Sequence, residues 1–238
     1  MLDDYRFPQI FRSYFEKVKQ LDIDQRALEE TGNNNGWLHD NVIDAYFQLL
    51  EHRCRLETNN RPRHLFLGSY MCSILELRWK QGEGAENISK MARWLFVYGD
   101  LGQEADWIYV PVNRHNGHWV LLLANVAAKT IQVYDPLHCD FGPSIEFISL
   151  FRNVLDLAGK RWERYAGEWF LLKKSYQGQV QMQLDSWNCG VFICAFADAH
   201  SSGAHAASAG PVIRIKDIRG LRRRIFEEFT RLNHSSTA

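Results

Sequence analysis

Hydrophobic positions along this 238-residue chain change texture twice, from helical spacing to alternating, strand-like runs and back again. Phe7, Phe11, Phe15 and Val18 recur at helical intervals and predict an added helix within residues 1–30. Thr31 to Gly36 is a turn-rich break, after which Val42, Ile43, Tyr46, Phe47, Leu49 and Leu50 mark an amphipathic helix with Asp40 near its N-terminus. Gln81 to Glu86 reads as a surface loop, followed by a helix through Phe96. Then come three short β-rich runs, Trp107–Val112, Trp119–Ala124 and Ile131–Tyr134, which predict adjacent strands of a central sheet. Helical spacing returns over Ser144–Trp162, Trp169–Lys173 could add a strand, and Gly190–Ala199 reads as a buried helix. Ser201 to Gly210 is a loop of small residues. Ile218, Leu221, Ile225, Phe229 and Leu232 then form one apolar face of a closing helix, whose Arg222-Arg223-Arg224 run is read as a solvated face.

Composition narrows the function classes. Twenty-eight basic residues balance twenty-eight acidic ones, so no bulk field draws the chain to nucleic acid or an anionic membrane. No run approaches the roughly 20 apolar residues of a membrane span, and Met1 to Arg6 lacks the basic start and apolar core of a signal peptide. Five cysteines without a CxxC pair fit neither a zinc site nor a disulfide framework and point to a reducing compartment, with no metal and no cofactor expected. The expectation is an intracellular protein, nuclear and/or cytoplasmic.

Candidate chemistry gathers at three places. Cys189 lies where a loop enters a helix, so first-turn amide dipoles would favour its thiolate, and Gly190 would allow a substrate close to the backbone. His118 opens an apolar strand after a glycine, and Asp135 closes the next strand, where it could orient the imidazole. Gln183, six residues before Cys189, could add a side-chain amide to the Cys189 N–H in an oxyanion hole. Each has a plainer reading taken alone. A free cysteine is usually a small buried apolar residue, as Cys54, Cys72 and Cys194 are read to be; a lone histidine is more often structural; Asp135-Pro136 could simply end a strand; and Gln179 and Gln181 compete with Gln183.

The conjunction, in this order, resembles the ubiquitin-like-protein-specific cysteine proteases, also called sentrin-specific or SUMO proteases. Their pattern is a Trp-Leu-Asn-Asp motif opening a helix, a His-Trp pair on one strand, an Asp ending the next, and a Gln six residues before Cys-Gly. The corresponding residues here are Trp37-Leu38-His39-Asp40, His118-Trp119, Asp135, and Gln183 with Cys189-Gly190. The likeness runs from about residue 36 to about residue 232. It implies an α+β fold of the papain-like, adenain/SUMO-protease type, with a central mixed sheet flanked by helices. Residues 36–238 would be the catalytic domain and 1–35 an N-terminal extension.

By the same resemblance His118, Asp135 and Cys189 would be a catalytic triad and Gln183 the oxyanion residue. Trp37 and Trp119 would form a tunnel whose indole faces admit a Gly-Gly tail and exclude side chains, and Asp40 would contact the modifier's surface. The implied partner is SUMO or another ubiquitin-like protein and its conjugates, with a deubiquitinase or deneddylase as the nearby alternative. A YopJ-type acetyltransferase and a modifier-binding module without useful turnover are more distant ones. Two positions depart from the family pattern: His39 replaces the usual Asn, and Asn188 stands where many members have Asp.

Overall fold

The computed structural model describes residues 25–33, 35–56, 63–69, 104–114, 117–137, 145–172, 181–202 and 217–235. The helix expected around Phe7 to Val18, the loop and helix over 81–96, the loop at 203–210, and Cys72 and Cys139 lie outside these residues. Within them the helices are α1 (Gln25–Gly32), α2 (Asp40–Leu56), α3 (Ile145–Gly159), α4 (Cys189–Ser201) and α5 (Ile218–Ser235). The strands are β1 (His64–Phe66), β2 (Trp107–Arg114), β3 (His118–Asn125), β4 (Thr130–Tyr134) and β5 (Phe170–Leu171).

The sheet runs β1-β2-β3-β4-β5, and it is mixed: β2, β3 and β4 are antiparallel, whereas β1 pairs parallel with β2 and β5 parallel with β4. The three central strands follow the alternating apolar runs expected from sequence. β5 falls inside the strand expected over Trp169–Lys173, whereas β1, three residues long, carries too few positions for a period-2 pattern to register.

Strand alternation sorts the core into two layers. Trp119, Leu121 and Leu123 of β3 join Tyr109 and Tyr134 in a layer covered by α2, α4, α5 and Ala27 of α1. Val120, Leu122 and Ala124 point the other way, with Ile108, Val110, Val112 and Ile131, beneath α3 and the segment Trp162 to Trp169. α3 presents Phe147, Leu150, Phe151, Val154, Leu155 and Ala158 to the sheet, the i, i+3, i+4, i+7 stripe of an amphipathic helix. α4 is buried from Cys189 through Asp198, as a helix apolar on all sides must be.

Buried charge on the first layer is paired. Arg53 of α2 forms an ion pair with Asp198 of α4 and donates to Ser201 Oγ at 2.8 Å. Tyr109 Oη links the Nδ1 atoms of His64 and His200, each at 2.7 Å. These contacts lock the far end of α4 and leave its N-terminus to face the start of β3.

Candidate active site

Antiparallel pairing sets the end of β4 beside the start of β3, with Leu121 opposite Tyr134. Asp135, the next residue, therefore reaches His118: His118 Nε2 lies 2.7 Å from Asp135 Oδ1, and both side chains are largely shielded from water. Asp135 Oδ1 also accepts from the Leu137 N–H at 2.9 Å, a local bond that fixes the carboxylate. The Cys189 side chain also acts on the ring, so the imidazole stands between Asp135 and Cys189. Burial disfavours the imidazolium, but the hydrogen bonds and charges of Asp135 and Cys189 outweigh it and raise the His118 pKa to about 9.

Cys189 is the first residue of α4 and is 1% exposed. The Phe192 N–H makes the first helical bond, to the Asn188 carbonyl, so the N–H groups of Cys189 and Gly190 have no intrahelical acceptor and point out of the helix start. Gly190 is required by the protein's own packing: a Cβ there would lie 2.8 Å from Leu38 Cβ and 3.2 Å from Ile43 Cδ1. The close approach expected of a substrate is already made by Leu38.

Leu38 has a second role through its carbonyl, which accepts from Trp119 Nε1 at 3.0 Å. Trp119 is thus 2% exposed and tied to the residue after Trp37, whereas Trp37 is 39% exposed. One of the two indoles is anchored in the core and the other stands open to solvent. Asp40 is exposed at the start of α2, where its Oδ1 accepts from the Asn41 N–H at 2.8 Å. His39 Nε2 sits 2.6 Å from Glu30 Oε2 and joins the entry of α2 to α1.

Gln183 is buried, and its N–H donates to the Pro136 carbonyl at 2.7 Å, which fastens the segment before Cys189 to the Asp135 turn. Its amide Nε2 donates to the Asp185 carbonyl at 2.7 Å and to Asp185 Oδ1 at 3.0 Å. The opposite amide orientation would set Oε1 against two acceptors, so the donor face belongs on Asp185. Oε1 is buried without a hydrogen-bond partner among the described residues.

Asp185 organises this loop. Its Oδ1 accepts from the N–H groups of Trp187 at 3.1 Å and Asn188 at 2.8 Å, and its Oδ2 from Asn188 Nδ2 at 2.7 Å. Burial opposes its charge, but the bonds from Asn188, Trp187 and Gln183 hold its carboxyl below the usual carboxylate range. An Asp followed by two to three residues that return N–H bonds is an Asx-type turn, a signal available in Asp185-Ser186-Trp187-Asn188 but not singled out from sequence.

Arg222 overturns a sequence expectation. Its run was read as a solvated face of α5, yet Arg222 is 1% exposed. Nε donates to Asn188 Oδ1 at 2.8 Å, Nη2 to the Trp187 carbonyl at 3.1 Å, and Nη1 to the carbonyls of Thr31 at 3.3 Å and Asn33 at 3.2 Å. Arg223 and Arg224 keep some exposure, so one turn of α5 splits between core and surface. Of the cysteines read as buried and structural, Cys194 is buried inside α4 and Cys54 is partly exposed. Among the described residues no cluster of His, Cys, Asp and Glu could hold a metal ion, and no helix is long and apolar enough to cross a membrane.

Comparison with known proteins locates this arrangement. The model of the Ulp1 protease family, C-terminal catalytic domain, matches residues 36–236. Ubiquitin-like-specific protease 1 of Saccharomyces cerevisiae is 22% identical over 158 residues, which are 66% of this chain and 22% of that protein. Ubiquitin-like-specific protease 1A of Arabidopsis thaliana is 22% identical over 176 residues, 70% of this chain and 32% of that one. The chain thus spans between a fifth and a third of the length of these two curated relatives.

Among solved structures, the C-terminal Ulp1 protease domain in complex with Smt3, the yeast ortholog of SUMO, superposes with a TM-score of 0.61 at 18% identity, covering 96% of both chains. The Xanthomonas campestris effector XopD bound to ubiquitin gives 0.54 at 17% identity, covering 82% of this chain and 92% of that one. These likenesses establish the α+β fold with its mixed sheet. With the family match over residues 36–236, they show that the chain belongs to the Ulp1 protease family and contains its C-terminal catalytic domain.

Proposed function

We propose that this protein is a cysteine peptidase that cleaves after the C-terminal Gly-Gly of a ubiquitin-like modifier, with SUMO as the leading substrate and His118, Asp135 and Cys189 as its triad. The observation that carries the reading is the His118 imidazole held on Asp135 and set where the Cys189 side chain acts on it, in a chain of this family. Asp135 holds Nε2, which leaves Nδ1 for the thiol and stabilises the imidazolium.

The Cys189 thiolate attacks the glycine carbonyl, forming a carbon–sulfur bond and an oxyanion that the Cys189 N–H and Gln183 receive. Gln183 enters this step with both amide protons on Asp185, so it trades one of those bonds for the oxyanion. The carbon–nitrogen bond breaks as His118 gives its proton to the leaving amine. Water, deprotonated by His118, then hydrolyses the thioester and restores the thiol.

Trp119, anchored by its bond to Leu38, supplies the fixed wall of the Gly-Gly tunnel and solvent-exposed Trp37 the wall that closes over the tail. Asp40, exposed at the mouth, meets the modifier's surface. SUMO is favoured because the relatives are ubiquitin-like-specific proteases and the Ulp1 domain was solved with Smt3, although XopD was solved with ubiquitin. The test is a panel of electrophilic Gly-Gly probes carrying SUMO, ubiquitin or the neddylation modifier, beside a Cys189→Ala control. An adduct with SUMO alone, absent from the control, supports the full reading; an adduct with another modifier corrects the substrate; no adduct from folded protein sinks the protease.

A further inference from the structure

The buried guanidinium of α5 is the largest feature of the site region that a nucleophile, base and oxyanion donor leave unexplained. Burying an arginine is costly unless its donors are satisfied, and a run of three arginines offers two cheaper positions facing water. Arg222 is nevertheless buried, and its four bonds among the described residues go to two places. One is the pair Trp187 and Asn188, immediately before Cys189; the other is the Thr31–Asn33 carbonyls at the end of α1, four residues before Trp37.

We infer that Arg222 is a positioning residue for the nucleophile: from α5 it holds the turn that delivers Cys189 to His118, and its charge favours the thiolate. The inference rests on Cys189 being the nucleophile. The guanidinium fork fixes the Trp187 carbonyl and the Asn188 side chain together, and Asn188 passes the constraint to Asp185, which in turn holds the Gln183 amide. A displacement at Arg222 therefore moves both the nucleophile and the oxyanion donor.

The departure from the family pattern at Asn188 sharpens the electrostatic part. With Asn there, every acceptor of Arg222 among the described residues is a neutral oxygen, so none of these contacts cancels its charge. Burial works against that charge, and the electrostatic interactions that support it come from Asp185 and Cys189. Among the described residues, the charged groups around Cys189 are His118 from β3, Asp135 after β4, Asp185 in the loop and Arg222 from α5. α2 meets α4 deeper, with Asp44 acting on Cys194 and Arg53 on Asp198.

The experiment compares wild type with Arg222→Met, Arg222→Lys and Asn188→Ala, each confirmed folded by near-ultraviolet circular dichroism. It measures the rate of Cys189 carboxymethylation by iodoacetamide against pH, read by mass spectrometry at that residue, with kcat and KM on a SUMO Gly-Gly substrate. Arg222→Met should shift the alkylation midpoint to higher pH and lower kcat tenfold or more while KM changes less than threefold. Arg222→Lys, which keeps the charge and loses the fork, should recover most of the midpoint and only part of kcat.

If Arg222→Met does not fold, Asn188→Ala carries the test, because it cuts the tie to the loop and leaves the guanidinium its three carbonyls; a three- to tenfold fall in kcat is expected. Folded variants with the wild-type alkylation profile and wild-type kcat overturn the inference. Failure of the wild type itself to react with any modifier probe would instead remove the protease reading, so the two failures are distinguishable.

Discussion

The two faces of the central sheet are built from the same strands yet obey different rules. The face beneath α3 is a continuous apolar layer, filled by Val, Ile, Leu, Phe and the aromatic run Trp162, Tyr165 and Trp169. The face beneath α2, α4 and α5 is just as buried but laced with polar side chains: Arg53, Asp198, Gln183, Asn188 and Arg222 are all shielded from water. An apolar layer needs only volume and period, so many sequences could supply it. A buried polar network demands a partner for each donor and charge, and that demand fixes orientation. The candidate active site sits at the end of the second face, where positional accuracy matters most.

The contrast makes stability and turnover separable. The largest effect expected is on the polar face: Cys189→Ala or His118→Ala should reduce hydrolysis of a modifier Gly-Gly substrate by roughly 10⁴-fold or more while the melting temperature changes little. On the apolar face, Phe151→Ala should lower unfolding free energy by about 3–5 kcal/mol, measured by urea denaturation, with kcat/KM per folded molecule unchanged. Turnover per folded molecule lost in Phe151→Ala to the extent expected of Cys189→Ala, or turnover preserved in Cys189→Ala, would break the division.

Smaller effects refine it. Gln183→Ala should cost about 100- to 1,000-fold in kcat, the worth of one oxyanion donor, with KM little altered. Gly190→Ala must push α4 away from Leu38 and Ile43, so both stability and the reactivity of Cys189 should fall, an outcome measurable as a lower melting temperature together with slower probe labelling.

Stability against pH tests the polar face as a whole. His118 is raised to about 9, so its contribution is fully present below its ordinary pKa near 6.5 and is lost as pH climbs through about 9. Burial beside Arg53 lowers His64 to about 4, so the folded state resists its protonation and loses stability as pH falls from about 6.5 toward 4. Burial raises Asp44 of α2 to about 6, which costs stability as pH rises from about 4 to 6 and opposes the His64 limb. The acid limb of the melting temperature should therefore be shallow and the alkaline limb dominant, and His118→Gln should flatten that alkaline limb alone.

Much of this was legible in the chain. The central strands were visible because each contains enough residues for alternation to show, α2 and α3 because their apolar residues repeat at helical spacing, and α4 because its run is apolar throughout. Residue types and order marked Cys189, His118, Asp135 and Gln183 as candidates, and the antiparallel hairpin of β3 and β4 implied that two of them could meet. β5 falls within the strand expected over Trp169–Lys173, whereas short β1 stayed hidden because it exists through pairing with β2, not through any pattern of its own.

Sequence by itself determined the alternation that builds two layers, the helical stripes that cover them, and the set of side chains able to do thiol chemistry, because period and residue type are local properties of the chain. Only tertiary structure decided that Trp119 is anchored and Trp37 open, that Gly190 makes room for Leu38, and that Arg222 turns inward while its neighbours keep contact with water. Those outcomes depend on which elements approach from distant parts of the chain. For Arg222 the acceptors come from residues 31, 33, 187 and 188, and no local window containing α5 holds any of them.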